Sequence, residues 1–265
     1  MRTRPDPRGA PRPHQALAAA AAVTTAVALV LALVVAPPDA VQGDAQRWMY
    51  LHVPAAWSAY LCFAVVLLAC LPVVRHDAAR PRVVARAAAE TGVALTALTL
   101  LTGSVWGAQT WGTWWVWDAR VTTTVAMGLV QVAFLAALAL ARTRRTRRAA
   151  GLVGALGFLM VPVVHLSVVW WRTLHQPPTL LAPGAGAPIA PVMAWTLGVC
   201  VLACTLLSVT VVLARVRSDA GHDAVPPAPA DSAPADSGSA RPGPAHPGTA
   251  RPTPAGPVPH ARVTP

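Results

Sequence analysis

Long apolar stretches, separated by short polar or arginine-rich segments, dominate the first four fifths of the chain. Each stretch holds roughly 20 residues, the length that an α-helix needs to cross a bilayer. The pattern predicts an all-α integral membrane protein with a six-helix membrane domain at residues 16–214. The six predicted transmembrane helices cover approximately residues 16–36, 54–74, 87–105, 119–141, 149–170 and 189–214.

Two tails flank the predicted membrane domain. Residues 1–15 are rich in Pro and Arg, and the apolar run that follows is longer than the 7–15 residues typical of a signal peptide. We therefore expect this run to be retained as the first span. Residues 215–265 consist mostly of Pro, Ala, Gly and Ser, and cannot bury enough apolar surface to offset the entropy of ordering. The sequence predicts a disordered C-terminal tail there.

The composition excludes an ordinary soluble domain. Hydrophobic residues make up 55% of the chain and charged residues 12%, against about 25% charged residues in soluble proteins. A net charge of +11 is typical of nucleic-acid-binding proteins, but here the arginines lie in short clusters between apolar runs. We therefore expect the lipid bilayer as a partner, and no nucleic acid.

The arginine clusters also predict the orientation of the chain. The N-tail and the segments at 75–86, 142–148 and 215–217 hold four, four, five and two arginines. The three alternate loops hold one each, namely Arg47, Arg120 and Arg172. The positive-inside rule then places both tails in the cytoplasm of a multi-pass plasma (inner) membrane protein.

Residues 103–124, here called the Trp segment, hold five tryptophans within a dozen residues on the predicted outer side. These are Trp106, Trp111, Trp114, Trp115 and Trp117. A helical segment would place Trp111, Trp114 and Trp115 on one face, whereas Gly103, Gly107 and Gly112 equally allow a flexible loop. An interfacial aromatic belt explains this cluster less well than a ligand-binding surface, because a belt populates both interfaces. Asp118 is predicted to cap the N-terminus of the fourth span.

Two histidines lie on the same predicted side as the Trp segment. We place His52 just outside the start of span two, and His175 a few residues beyond the end of span five. Neutral imidazole binds iron well, and flat indoles suit a flat apolar ligand such as haem b. Arg120, Arg172 or Arg47 would pair with the haem propionates, although lipid-phosphate contact is an equal alternative for Arg120 and Arg172.

Three further features have simpler interpretations. We expect Cys62, Cys70, Cys200 and Cys204 to be buried apolar residues without disulfides. Intramembrane His165 is expected to hydrogen-bond Ser167 or a backbone carbonyl, and Glu90 to pair with an arginine at the inner end.

Three motifs of the sequence resemble those of a known family. The Trp segment resembles the signature of the WWD-domain haem-handling proteins, through Trp106-Gly107, Trp111-Gly112, Trp114-Trp115, Trp117-Asp118, Arg120 and Thr122. Residues 49–56 and 170–176 resemble the two flanking motifs of the CcmC branch, which acts in cytochrome c maturation. The three motifs occur in the expected order, and the likeness spans roughly residues 16–214.

The resemblance implies what the protein does. It implies that His52 and His175 are the axial iron ligands of haem held on the outer face. It also implies a role in binding and delivery rather than catalysis, with transfer to the haem chaperone CcmE. The ABC-type subunits CcmA and CcmB and the small subunit CcmD are the other implied partners.

Three alternatives stay open from the sequence. The CcsA type of cytochrome c synthetase subunit also has a WWD segment. A b-type electron-transfer cytochrome would ligate haem inside the spans, where His165 lies. A passive permease subunit of an ABC exporter would use the Trp segment only as a lipid anchor.

Overall fold

Helices account for the regular structure in the part of the chain that the computed structural model describes. It describes residues 13–171, 173–175 and 189–223, with only the backbone for 220–223. The seven α-helices in these ranges are α1 (Pro13–Val30), α2 (Met49–His76), α3 (Ala79–Trp111), α4 (Ala119–Leu140), α5 (Arg144–Gly157), α6 (Met160–Trp170) and α7 (Pro191–Asp223). A π-helical turn, Leu31–Val35, extends α1, and a 3₁₀ helix, Asp44–Trp48, leads into α2.

Six helical stretches in these ranges are long and apolar enough to cross a membrane, as the sequence predicts. α5 and α6 together form the fifth stretch. α3 has 33 residues and is therefore roughly 50 Å long, which exceeds the roughly 30 Å of the hydrocarbon core. The ends of α3 therefore reach beyond the apolar layer.

Two of the predicted boundaries are wrong near the Trp segment. α2 begins at Met49 rather than near Pro54, because the preceding 3₁₀ helix continues directly into it. His52 therefore lies inside α2, not just outside it. α3 extends to Trp111 rather than ending near Val105, so Gly103 and Gly107 are helical and are not hinges. Glycine within a helix is not unusual here, since glycine is more frequent in transmembrane helices than in soluble ones.

The fifth span is broken, where the sequence pattern predicts one continuous helix. α5 ends at Gly157 and α6 begins at Met160. Pro162 accounts for the break, because it has no N–H to donate to the carbonyl of Phe158 and its ring crowds that carbonyl. The Phe158 carbonyl instead accepts from Val161 N at 2.9 Å, a tighter three-residue turn.

α2 lies at the centre of the bundle and packs against α3, α5 and α7. One buried cluster joins α2 to α3, α4 and α6 around Phe63 and Phe134, and a second joins α1, α2 and α7 around Tyr50. Small residues allow the close approach, since a Cβ at Gly154 would lie 2.8 Å from Phe134 Cδ2. All four cysteines are free, as expected.

The two ends of the bundle differ in chemistry. The Trp end carries residues 39–48, 112–118 and 173–175, and the Arg end carries residues 77–78 and 141–143. At the Arg end, Asp77 accepts hydrogen bonds from Arg147 Nη2 at 2.6 Å and Arg82 Nη1 at 3.2 Å. The hydrogen bonds from Arg147 hold the pKa of the Asp77 carboxyl below its ordinary value. Glu90 pairs with Arg86 and Arg215, which confirms the expected arginine partner.

The last helix runs further than predicted. α7 continues to Asp223, so the first residues assigned to the C-terminal tail, from 215 onward, are helical. The sequence contains no proline between Pro191 and Pro226 that would stop this helix. Residues 1–12 and 224–265, which form most of the two predicted tails, lie outside the described residues.

Candidate functional site

A cavity at the Trp end is enclosed by α2, α3, α4 and α6 together with residues 113–116 and 174–175. It holds about 780 Å³ of space not occupied by atoms, a volume that includes solvent at its open mouth. Seven of the ten predicted site residues line it: His52, Trp111, Trp114, Trp115, Asp118, Arg120 and His175. Trp106 lies behind His52, Trp117 lies outside the lining, and Arg172 lies outside the described residues.

Hydrogen bonding determines the tautomer of His52. Its Nδ1 lies 3.2 Å from Thr102 Oγ1 on α3. The Thr102 hydroxyl donates its proton to the carbonyl of Leu98 at 2.8 Å, so its oxygen accepts from the imidazole. The proton of a neutral His52 is therefore on Nδ1, and Nε2 keeps the free lone pair that a metal requires.

The His52 ring is also held sterically. The Trp106 indole packs against it edge-on, with ring centroids 5.8 Å apart. Gly103 makes the close approach of α3 possible, because a Cβ at this position would lie 2.8 Å from His52 Cε1. The orientation of His52 is thus determined by three neighbours on one helix.

His175 is positioned by a carboxylate instead. Its Nδ1 lies 2.8 Å from Asp118 Oδ2. Because an ionised carboxylate only accepts, Nδ1 carries the proton, and Nε2 is again the nitrogen with the free lone pair. Burial lowers the pKa of His175, while the Asp118 hydrogen bond opposes that shift. Trp111 packs against the same ring, with centroids 5.2 Å apart.

Asp118 has two roles, of which the sequence reveals one. Its Oδ1 accepts from Val121 N at 2.8 Å, which confirms the predicted N-cap of α4. Its second oxygen binds His175, and the side chain is only 8% exposed. A carboxylate behind a histidine is the usual means of orienting a metal ligand, and here the capping residue fixes the orientation of the His175 ring.

The Trp segment is part helix and part loop. α3 ends at Trp111, and Gly112 adopts a left-handed conformation with φ 72°, which reverses the chain. Trp114, Trp115 and Trp117 follow in irregular structure, so the helical face proposed as one alternative does not form. Trp114 and Trp117 are 65% and 68% exposed, and Trp117 packs edge-on against Trp115 at 5.2 Å. Trp114 and Trp115 also line the cavity, and Trp117 lies beside Trp115 outside the lining.

Arg120 places a cation in the cavity wall. Its Nη2 donates to the backbone carbonyl of His165 at 3.0 Å, and its buried Nε has no hydrogen-bond partner within the described residues. An unpartnered buried guanidinium N–H suits an anionic group on a ligand. Arg47, another of the three candidate cations, is already engaged by Asp44 at 2.8 Å and by the carbonyl of Ala32 at 2.6 Å.

Comparison with known proteins identifies the relationship of this chain. Residues 9–225 match the family described as heme exporter protein C. The chain belongs to this family. Heme exporter protein C of Bradyrhizobium diazoefficiens is 38% identical over 188 residues, or 70% of each chain. Heme exporter protein C of Escherichia coli K12 is 37% identical over 185 residues, covering 69% of this chain and 74% of the relative.

A eukaryotic relative extends the comparison. A putative cytochrome c biosynthesis ccmC-like mitochondrial protein of Marchantia polymorpha is 34% identical over 160 residues, covering 60% of this chain and 68% of the relative. The resemblance to the CcmC branch is therefore confirmed, and the CcsA alternative is not the family that matches.

Sequence reasoning missed the inner wall of the cavity in this heme exporter protein C family member. Below the histidines, the wall includes Ala56, Met127 and Val164, together with several threonines. The hydroxyls of Thr96 and Thr99 donate to carbonyls of their own helix at 2.8 Å, so they need no polar partner in the cavity. Apart from the Tyr60 hydroxyl, the inner wall is therefore effectively apolar. Its residues are ordinary helix residues, and only the packing of four helices brings them together.

The His165 hydrogen bond to Ser167 that the sequence suggested does not form. Ser167 is buried and donates to the carbonyl of Val164 at 2.7 Å. His165 does not line the cavity, and it contributes its backbone carbonyl to Arg120.

Proposed function

We propose that the protein binds haem in the cavity at the Trp end, with His52 and His175 as the iron ligands, and acts in cytochrome c maturation. The observation that carries this proposal is the pair of imidazoles in one cavity, each with Nδ1 bound to an acceptor. Both rings thus keep Nε2 free for iron. Membership of the heme exporter protein C family supports haem as the ligand.

The remaining lining residues fit haem b. The apolar inner wall suits the porphyrin, and Trp111, Trp114 and Trp115 provide indole surface beside it. Arg120 supplies an unpartnered buried N–H for a propionate, and Arg172 is a second candidate cation. Bound haem contributes an iron centre that accepts two nitrogen ligands, and the protein contributes orientation and exclusion of water.

Haem is cargo in this proposal rather than a resident redox group. The protein holds haem on the outer face of the plasma membrane and delivers it to the chaperone CcmE, without catalytic turnover. Trp114 and Trp115 line the cavity and are also exposed, so an acceptor protein would meet them as it approaches the haem. CcmA, CcmB and CcmD are the proposed partners in the membrane complex, with both tails of this chain cytoplasmic.

The test is purification of the full chain from haem-replete membranes, followed by absorption spectroscopy. His52→Ala and His175→Ala should each lose most of the Soret absorption, because each removes one iron ligand. The matched control is His165→Ala, which changes a histidine of the same bundle that does not line the cavity. It should keep the parent spectrum.

Circular dichroism and size-exclusion profiles verify that each variant folds. Parent-like Soret absorption in both cavity variants would overturn the proposed ligation. Loss of haem only in His165→Ala would instead support a b-type cytochrome, and absence of haem in the parent protein would support a permease subunit.

A further inference from the structure

A short closed loop precedes α2 at the Trp end. Asp39 and Gly43 exchange backbone hydrogen bonds at 3.1 and 3.0 Å. Asp39 Oδ1 also accepts from the backbone N–H groups of Val41 and Gln42, both at 2.8 Å. Gly43 has φ 57°, a conformation that L side chains rarely adopt. The backbone of Gln42 is therefore held from both sides.

The Gln42 side chain makes one long-range contact. Its Oε1 accepts a hydrogen bond from the indole Nε1 of Trp106 at 2.8 Å. The indole N–H is the only polar group of a tryptophan side chain, and it only donates. This bond therefore selects one orientation of the Trp106 ring among the rotations that its side-chain bonds allow.

Trp106 in turn packs edge-on against His52. Thr102 and Gly103 contact other parts of the same imidazole, and neither replaces the hydrogen bond that orients the indole N–H of Trp106. If the hydrogen bond to Gln42 is lost, the indole gains freedom and His52 loses one defined neighbour. The effect on His52 then passes through the indole, not through a direct contact with Gln42.

We infer that Gln42 is a positioning residue for the haem ligand His52, acting through the Trp106 indole. The inference rests on the proposed function, since it concerns the orientation of an iron ligand. The contact also joins the loop before α2 to α3, the helix that supplies the other two neighbours of His52.

The experiment compares four single variants of the full chain and one double variant. Gln42→Leu keeps a similar volume and removes the acceptor, while Trp106→Phe keeps an aromatic ring and removes the donor. Gln42→Glu retains an acceptor and should rescue the parent behaviour. The matched control is Gln46→Leu, the same substitution at a nearby buried glutamine, whose amide hydrogen-bonds only to Met49 among the described residues.

Two readouts separate positioning from general stability. In haem-free protein, the NMR resonance of the Trp106 indole N–H reports its hydrogen bond, and Gln42→Leu should shift it while Gln46→Leu should not. In haem-loaded protein, the electron paramagnetic resonance g-values and the reduction potential report the orientation and strength of the ligands. Gln42→Leu and Trp106→Phe should shift both and weaken haem binding by less than about tenfold, because they act one contact further out than a direct partner of the ligand.

The double variant gives the decisive comparison. Gln42→Leu combined with Trp106→Phe should behave like Trp106→Phe alone, because the hydrogen bond is already absent once the indole N–H is removed. Additive effects, or parent-like g-values in Gln42→Leu, would overturn the inference. The proposed function would still stand in that case if His52→Ala loses its haem. If His52→Ala keeps the parent spectrum, the proposed function fails, and the role of Gln42 as a positioning residue for a haem ligand fails with it.

Discussion

His52 and His175 face the same cavity but are held in different ways. His52 lies within a continuous helix, and three residues of α3 surround its ring. His175 lies in a short irregular stretch after α6, and its main tie is one hydrogen bond to Asp118. One histidine is thus fixed mainly by helix packing and the other mainly by a carboxylate.

The largest expected effect comes from removing each imidazole and adding free imidazole. His52→Gly and His175→Gly should both lose haem almost completely. Imidazole in solution should restore the Soret absorption of His175→Gly further than that of His52→Gly. The reason is access, because His175 is 19% exposed near the mouth, whereas packed residues of α3 surround the His52 site. Equal rescue of both variants would contradict the asymmetry.

Asp118→Asn should have the next largest effect. Asparagine remains a good N-cap, so α4 should keep its stability. With Oδ1 accepting from Val121, the amide nitrogen faces His175 and donates, which moves the imidazole proton to Nε2 and blocks ligation. Loss of such a partner usually weakens metal binding by roughly 10–100-fold.

Haem titration monitored at the Soret band measures the affinity of this variant. Asp77→Asn provides the control, because it changes a carboxylate of the Arg end in the same way. An affinity of Asp118→Asn equal to that of the control would show that the carboxylate does not orient His175.

The pH dependence tests the same ligand. Burial lowers the pKa of His175 from its ordinary value of 6.5, so the neutral, ligating form persists somewhat below that pH. The stabilisation that comes with the lowered pKa is present above pH 6.5 and is lost as the pH falls and the ring must take up a proton. Haem affinity should therefore stay constant from pH 8 to 6.5. At one pH unit below the His175 pKa it should be about tenfold lower than on this plateau.

Spectral titration between pH 8 and 5 measures this profile, with circular dichroism to follow the fold. A decline that begins above pH 7 would mean that the pKa of His175 is raised, so that Asp118 outweighs burial.

Thr102→Val should have the smallest effect. Valine keeps the shape of threonine but cannot accept from His52 Nδ1. The lost bond is neutral and 3.2 Å long, whereas the bond of His175 is 2.8 Å long and accepted by a carboxylate. We expect haem affinity to fall by a few-fold, since a neutral hydrogen bond contributes about 1 kcal/mol. A loss as large as that of Asp118→Asn, measured by the same titration, would remove the difference between the two histidines.

Much of the fold and part of the site follow from local sequence patterns. Apolar runs of about 20 residues predict the six spans, because the bilayer sets both their length and their composition. Asp118 is readable as a cap, because a cap depends only on the next few residues. Pro162 alone does not predict the broken fifth span, because Pro54 and Pro72 lie inside the continuous helix α2.

The sequence by itself determined which residue types are present and how far along the chain they lie: six apolar runs, ten candidate residues and three motifs. Tertiary structure alone decided which of them meet. Asp118 reaches His175 across 57 residues of chain, and Gln42 reaches Trp106 across 64. Such pairs have no local signature, because their distance is set by the packing of whole helices. Local chemistry and the three motifs therefore named the candidate ligands, and helix packing determined how each of them is held.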